Sequence, residues 1–181
     1  MTATKKATNP IVRLTLILFF VSAVTAGILG LVNLFTVDRI KLQNEQATAA
    51  AYKEVMSADK YEPLSFDEKL YSTVNGVYKA GDAGYVVDMS FSGAQSTITA
   101  AIGIDTAGAV TGVSIIKHAE TPSLGARAVE PEFRNQYVGS AEPVALTKQG
   151  GEIAAISGAT ITSKAVTDAV NTAMDVVASL G

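Results

Sequence analysis

The sequence predicts an α+β protein, in which a single N-terminal transmembrane helix precedes one antiparallel-sheet domain with flanking helices. Three observations lead to this fold class. Residues 14–37 contain no charged side chain, residues 72–117 alternate apolar and polar side chains between turn signals, and residues 163–180 repeat apolar side chains at helical spacing. The predicted parts are a cytoplasmic N-terminus 1–13, a transmembrane helix 14–37, a stalk 38–62 and an extracytoplasmic domain 63–181.

The uncharged run LTLILFFVSAVTAGILGLVNLFTV is long enough to cross a membrane. Its 24 residues extend about 36 Å as a helix, whereas a hydrocarbon core is about 30 Å thick. A cleaved signal peptide is the alternative, because Lys5, Lys6 and Arg13 precede the run and small residues interrupt it. Cleavage there would leave an apolar stub at residues 28–32, so we favour a retained single-pass anchor.

The orientation of this anchor does not follow from a simple charge count, because three basic residues lie within reach on each side. A long C-terminal segment can be translocated largely regardless of its charges, and the basic residues before the run form a typical cytoplasmic flank. We therefore expect a cell-membrane protein with its N-terminus inside and its main domain outside.

Residues 38–58 contain no Gly or Pro and few strand formers, so they are predicted to extend the membrane helix as a stalk that then packs on the domain. Pro63 marks a break. The alternating region that follows predicts four strands, with Gly81-Asp82, Ser92-Gly93 and Thr106-Ala107-Gly108 as the turns between them. The predicted strands cover 72–79, 84–91, 97–104 and 109–117.

The second half of the chain opens as a loop containing Pro122 and Gly125. A short polar helix is predicted near 130–137, followed by two short strands at 143–146 and 153–156 on either side of a Gly-Gly turn. The amphipathic pattern of residues 163–180 then predicts the last helix, which buries one apolar face on the sheet.

Composition excludes several classes of function. The net charge of −3 lacks the basic excess that nucleic-acid binding needs. There is no cysteine and His118 is the one histidine, so iron–sulfur ligation, thioether haem attachment and a zinc or copper site are not expected. The sequence contains no nicotinamide-binding glycine motif and no substrate-activating acid–base pair, so the isolated chain is not expected to be catalytic. A redox function would need an organic cofactor.

The segment ISGATITSKAV, residues 156–166, places a cluster of hydroxyl side chains around a Gly-Ala turn just before the last helix. A helix start offers unpaired amides and a partial positive charge, which together stabilise an anion. The alternative is that one hydroxyl, from Thr160, Thr162 or Ser163, merely caps the helix. The residues alone leave both interpretations open.

Two strings resemble a known family. SGATITS, followed by an Ala- and Val-rich helix, resembles the flavinylation motif of the FMN-binding domain family, and HAETPSLG at residues 118–125 resembles its E-T-P-G-L-G loop. With the anchor, they make the chain similar to the G subunits of Rnf-type ion-translocating ferredoxin:NAD oxidoreductases. It is also similar to the C subunits of sodium-pumping NADH:quinone reductases. The resemblance covers residues 70–181 and the anchor.

The resemblance implies one FMN, joined covalently through a phosphodiester to Thr160 by a dedicated flavin transferase. The diester charge would lie at the helix start, with the hydroxyls around it as donors. Glu120 would hydrogen-bond the polar edge of the isoalloxazine ring and Leu124 would pack on its face. The remaining cofactor-binding residues implied are Ser157, Gly158, Ala159, Thr162, Ser163, Thr121 and Gly125.

The chain departs from the family pattern at two positions. Ser123 stands where the family loop commonly has glycine. Ala154 stands where the flavinylation motif commonly has an acidic residue, and Glu152, two positions earlier, is the nearest substitute.

The implied function is an electron-carrying subunit within a complex of other membrane and peripheral subunits. Electrons would pass through the FMN, and the complex would couple ferredoxin and NAD redox chemistry to export of Na⁺ or H⁺. One alternative is a C-type subunit of a sodium-pumping NADH:quinone reductase. Another is a bitopic binding or structural module without redox function.

Overall fold

The structure is a computed structural model that describes residues 9–180. Residues 1–8, which belong to the predicted cytoplasmic segment 1–13, and residue 181 lie outside the described residues. The described residues divide into two compact units, 9–45 and 46–180. The second unit therefore begins inside the segment that the sequence predicted to be a stalk.

Helix α1 runs without interruption over Pro10–Val55. It contains a window with a mean hydropathy of 2.4 and no buried residue, so it is long and apolar enough to cross a membrane. The hydroxyls of Thr15, Thr25 and Thr36 each donate to the carbonyl four residues earlier, which satisfies these polar groups within the helix itself. The predicted transmembrane and stalk helices are thus one continuous helix.

The domain is built on one five-stranded antiparallel sheet whose strand order follows the chain. The four predicted strands are confirmed, and a short strand around Pro63 comes before them, where the sequence had suggested a break. This strand lies at the sheet edge, where a proline can be accommodated. The strands are β1 (Glu62–Leu64), β2 (Val74–Lys79), β3 (Gly84–Ser92), β4 (Thr97–Asp105) and β5 (Val110–Lys117).

Both faces of the sheet are covered. Because side chains alternate along a strand, β3 directs Val87 and Met89 into the main core that includes helix α3, Thr160–Ala178. Val86 points to the opposite face and packs in a second cluster with Tyr52 and Val55 from the end of α1. The end of α1 is therefore part of the domain fold.

The segment between the sheet and α3 contains less regular structure than the sequence predicted. The short helix is confirmed as α2, Pro131–Arg134, which continues as a 3₁₀ turn through Tyr137. The two strands predicted at 143–146 and 153–156 are wrong, because only a single parallel bridge joins Leu146 to Ile153. A 3₁₀ turn at Thr147–Gln149 and the glycines after it lie between the two segments. The backbone groups there form turn hydrogen bonds instead of a strand ladder.

A glycine notch, formed by Gly103 on β4 and Gly112 on β5, receives the end of α1. The two glycines lie opposite each other in the sheet register. A Cβ on Gly103 would lie 2.6 Å from the carbonyl oxygen of Val55, and one on Gly112 would lie 3.1 Å from its Cα. Thr111 Oγ1 donates to the same carbonyl at 2.6 Å. A side chain in the notch would therefore push the helix away.

Polar contacts hold the end of α1 on either side of the notch. Tyr52 Oη donates to Asp88 on β3 at 2.8 Å. Arg134, whose side chain is mostly buried, donates to Glu54 and to the Val113 carbonyl, both at 2.8 Å. The helix end is thus fixed by apolar burial, by close backbone approach and by paired polar groups.

We expect Gly103→Ala to destabilise the domain by about 2 kcal/mol, because the new methyl group must displace the Val55 backbone. The measurement is thermal unfolding of the full chain in detergent, followed by circular dichroism. Thr97→Ala, at the exposed end of the same strand, is the control and should change the midpoint little. An unchanged midpoint for Gly103→Ala would show that the notch is not tightly closed.

Candidate functional site

Helix α3 begins without a side-chain cap. Its N-cap is Ala159, which makes no side-chain hydrogen bond, and its first turn contains no acidic residue. Gly158 directly before it adopts a positive φ of 76°, which a side chain would disfavour. Among the described residues, no side chain competes for the amides of the first turn, so they remain available to an external acceptor.

Three hydroxyls of the motif are buried and used within the protein. Thr162 Oγ1 donates to Glu120 at 2.7 Å. Ser163 Oγ donates to the Ala159 carbonyl and accepts from the Ile156 amide, both at 2.9 Å. One turn later, the Thr167 hydroxyl donates to the Ser163 carbonyl and is also hydrogen-bonded to the Tyr137 hydroxyl. These hydroxyls fasten the start of α3 to the domain.

Ser157 and Thr160 are the exposed hydroxyls of this segment. Thr160 is the first residue of α3, directly after the uncapped N-cap position. Its neighbour Ile161 is 67% exposed, which is unusual for an isoleucine. The motif therefore separates into an inner set of hydroxyls and an outer pair at the surface.

The E-T-P-S-L-G loop lies against the start of α3. The Thr121 carbonyl accepts from the amides of Leu124 and Ala126, both at 3.2 Å, which closes the loop into a turn. Leu124 is 41% exposed and approaches Gly158 so closely that a Cβ there would lie 2.9 Å from its Cδ2. The two motifs, distant in sequence, thus meet at the surface.

Glu120 is the centre of this arrangement, with only 5% of its surface exposed. Its Oε1 accepts from the amides of Gln95 and Ser96 at 3.0 and 2.9 Å and from Ser96 Oγ at 3.1 Å. Its Oε2 accepts from the Ala94 amide at 3.3 Å and from Thr162 Oγ1 at 2.7 Å. One carboxylate therefore joins the β3–β4 turn, the loop and the first turn of α3.

The hydrogen bonds keep Glu120 ionised although it is buried. Burial by itself would raise its pKa, but the bonds from Thr162, the two backbone amides and the Ser96 hydroxyl outweigh burial and lower the pKa to about 2. Because no cation pairs with this carboxylate among the described residues, the fixed charge depends on oriented dipoles alone.

Two glycines leave space for the Glu120 side chain. A Cβ on Gly125 would lie 2.8 Å from Thr162 Oγ1 and still closer to Glu120 Oε2, and a Cβ on Gly93 would overlap Glu120 Oε1. Both positions therefore need glycine for close approach rather than for flexibility.

The structure brings together most of the residues that the sequence singled out. Glu120, Gly125 and Thr162 are in direct contact, and Leu124 lies beside Gly158. That Glu120 bonds the isoalloxazine edge, and that Thr162 and Ser163 donate to phosphate, stay predictions, and each of these side chains already has partners in the protein. Glu152 and Ala154 are exposed, and no described contact of theirs bears on the departure from the family motif.

The sequence reasoning missed the turn at residues 93–96. It identified Ser92-Gly93 only as a connection between strands, yet three successive amides and a hydroxyl of this turn bind Glu120. A turn that binds a carboxylate from a distant part of the sequence leaves no periodic signal. The one available sign was a second short polar residue, Ser96, at the end of the turn.

Acid should weaken the domain through Glu120. Since its pKa is lower in the folded chain than the ordinary value near 4.5, its ionised form contributes about 3 kcal/mol of stability above that value, and this is lost as the pH falls towards 2. Denaturant unfolding at pH 7 and pH 3 should show a smaller loss for Glu120→Gln than for the unchanged chain. Glu130→Gln, which alters a half-exposed carboxylate, is the control, and an equal loss for Glu120→Gln would contradict the assignment.

Ser123 adopts a φ of 63°, so Ser123→Gly should stabilise the loop by about 1 kcal/mol, because only glycine takes this conformation without strain. The thermal midpoint measures the effect. Ser92→Gly, at an exposed strand end without positive φ, should lower the midpoint instead. A lower midpoint for Ser123→Gly would show that the serine is not strained.

Comparison with known proteins gives this geometry a context. Residues 93–175 match the family of FMN-binding domains, and residues 1–55 match the RnfG N-terminal region. The chain is 38% identical to the G subunit of the ion-translocating oxidoreductase complex of Methanosarcina acetivorans, over 99% of this chain and 98% of that protein. It is 37% identical to the G subunit of the Na⁺-translocating ferredoxin:NAD⁺ oxidoreductase complex of Acetobacterium woodii, over 93% and 92% of the two chains.

A solved structure shares the fold. The crystal structure of the C subunit of the Na⁺-translocating NADH-quinone reductase from Parabacteroides distasonis superposes with a TM-score of 0.53 at 22% identity, covering 75% of this chain and 92% of that one. At this identity the likeness supports the architecture alone. The matches over both parts of the sequence show that the chain belongs to the G-subunit family of ion-translocating oxidoreductase complexes and carries an FMN-binding domain.

Proposed function

We propose that the chain is the electron-carrying subunit of a membrane-bound, redox-driven ion pump. Its one FMN is attached covalently through the flavin phosphate to Thr160. The family membership supports the redox role, since the relatives are named as subunits of ion-translocating oxidoreductase complexes. The exposed position of Thr160 at the uncapped start of α3 is the observation that carries the attachment.

Exposure favours Thr160 over the other hydroxyls of the motif. Thr162 and Ser163 have no exposed surface, and their hydroxyl groups are engaged within the domain. Ser157 is exposed but precedes the helix, so a phosphate on it would lie outside the first turn. Only on Thr160 would a phosphodiester begin at the first helical residue.

The surroundings of Thr160 fit a phosphodiester and a ring system. The free amides of the first turn and the helix dipole would stabilise the remaining negative charge without a cationic side chain. The exposed apolar side chains of Leu124 and Ile161 lie close by in the loop and on the helix. They provide the kind of apolar surface that a flat ring needs.

Attachment requires a partner enzyme, a flavin transferase. The Thr160 oxygen would lose its proton and form a bond to the flavin phosphorus, while the phosphoanhydride bond of an activated flavin donor breaks and its leaving group departs with the bonding electrons. Glu120, the carboxylate that contacts the first turn of α3, already accepts hydrogen bonds from protein donors at both oxygens. The transferase must therefore supply the base.

When bound, FMN supplies reversible one- and two-electron transfer. This chain holds the phosphate end and keeps the site at the surface, where other subunits of the complex can approach. Electrons would pass between ferredoxin and NAD, coupled to export of a cation. The coupling ion stays open between Na⁺ and H⁺, because relatives are named for both.

For the topology, we propose a cytoplasmic N-terminus, a single span within α1, and an FMN-binding domain outside the cell membrane. The apolar window of α1 supports the span. The long segment after it can be translocated largely regardless of its charges. A cofactor outside the cell would be lost on dissociation, which gives covalent attachment a physical advantage.

A C-type subunit of a sodium-pumping NADH:quinone reductase is the second candidate. The C subunit from Parabacteroides distasonis shares the fold, which at 22% identity supports the architecture and not the function. The matches to G subunits extend over nearly the whole chain at higher identity and favour the first candidate. A structural module without redox function would leave the two motifs unexplained.

We expect the chain, when produced together with a flavin transferase, to gain the mass of one FMN phosphoryl adduct and to fluoresce in a denaturing gel. Thr160→Ala should abolish both signals, because no other exposed hydroxyl lies on α3 at its start. Thr160→Ser should retain part of the label. Intact mass and peptide mapping measure the outcome.

Ser157→Ala is the matched control, since it removes the other exposed hydroxyl three residues earlier. It should leave the label in place. Adduct found on Ser157, or flavin that is released by denaturation, would refute covalent attachment at Thr160.

A further inference from the structure

Thr162 and Thr160 lie on opposite sides of the first turn of α3. Successive residues of a helix are rotated by about 100°, so two positions apart they differ by about 200°. Thr162 has no exposed surface, whereas Thr160 is exposed. Any contact that fixes the inward direction of Thr162 therefore also fixes the outward direction of Thr160.

The contact that fixes Thr162 is its 2.7 Å hydrogen bond to Glu120 Oε2. Glu120 is itself held by the three amides and the hydroxyl of residues 94–96. This turn connects two strands of the sheet. The Glu120 carboxylate therefore links the helix start to a rigid part of the fold. Gly125 leaves the space in which the two side chains meet.

Glu120 and Thr162 have no spare bonding capacity directed at a ligand. Both oxygens of Glu120 accept from protein donors, and the residue is 5% exposed. The single proton of the Thr162 hydroxyl is given to Glu120. This pair differs from the roles expected from the sequence, in which both side chains touch the cofactor.

We propose that Glu120 and Thr162 form a positioning pair for flavin attachment. Their hydrogen bond sets the rotation of the first turn of α3, so that the Thr160 hydroxyl is presented to the flavin transferase with the helix amides behind the incoming phosphate. The pair acts through the backbone and makes no contact with the phosphorus. This inference rests on the proposed attachment of FMN at Thr160.

The test compares substitutions of two buried hydroxyls on the same helix. Thr162→Val removes the hydroxyl that binds Glu120 and keeps the branched shape of the side chain. Thr167→Val removes a hydroxyl of similar burial that binds Ser163 and Tyr137 and not Glu120. The initial rate of FMN incorporation into the folded full-length chain, with purified transferase, is followed by intact mass.

We expect Thr162→Val to slow incorporation about tenfold, the size of effect that loss of one hydrogen bond to a charged group can produce. Thr162→Ser, which restores the hydroxyl, should recover most of the rate. Thr167→Val should be labelled at the rate of the unchanged chain, even with a similar fall in thermal midpoint. Hydrogen exchange of the Ser163 amide, which donates to the Ala159 carbonyl, should be faster in Thr162→Val alone.

Three outcomes would overturn the proposal. Thr162→Val labelled at the full rate would show that the pair does not position Thr160. Equal slowing by Thr167→Val, or no recovery of the rate in Thr162→Ser, would show that the pair contributes only to the general stability of the domain. If the unchanged chain carries no adduct on Thr160, the function proposed above fails first, and the positioning role falls with it.

Discussion

The rest of the site depends on the hydrogen bonds that the ionised side chain of Glu120 accepts. This side chain gathers a strand turn, a surface loop and the start of a helix around one buried charge. Removing the water around a carboxylate is costly unless hydrogen bonds replace it, and here backbone amides and two hydroxyls do so. The glycines at 93 and 125 are consequences of this arrangement, because the donors must come close. The loop that carries Leu124 is fixed in the same way, and with it the surface beside Thr160.

Much of the fold could be predicted from the sequence because it depends on local periodicity. The alternation along β2 to β5 and the apolar stripe of α3 each give a repeating signal. Strand β1 could not be predicted, since three residues around Pro63 carry no period. The strands expected near Leu146 and Ile153 failed for a related reason. Short apolar runs beside a glycine pair are equally compatible with a turn whose backbone groups are hydrogen-bonded within the turn itself.

The site was predictable at the level of motifs and not at the level of roles. The two strings predicted that Glu120, Leu124 and Thr160 surround one FMN, and the structure brings the two strings together. Which hydroxyl faces outward depends on the rotation of α3 relative to the sheet, and that rotation depends on contacts between segments that are distant in the sequence, such as the one between Thr162 and Glu120. Hydroxyl side chains look alike in a sequence, but their burial separates Thr160 from Thr162 at once.

Helix α1 passes from its apolar stretch into the domain core without an intervening loop. Proteases cut most readily where the backbone is exposed and locally unfolded, as at loop tips and termini. The junction offers only helical backbone, and its last turn is covered by the glycine notch and the strands beside it. A protease would therefore find little to cleave in residues 46–55, the part of α1 that belongs to the domain.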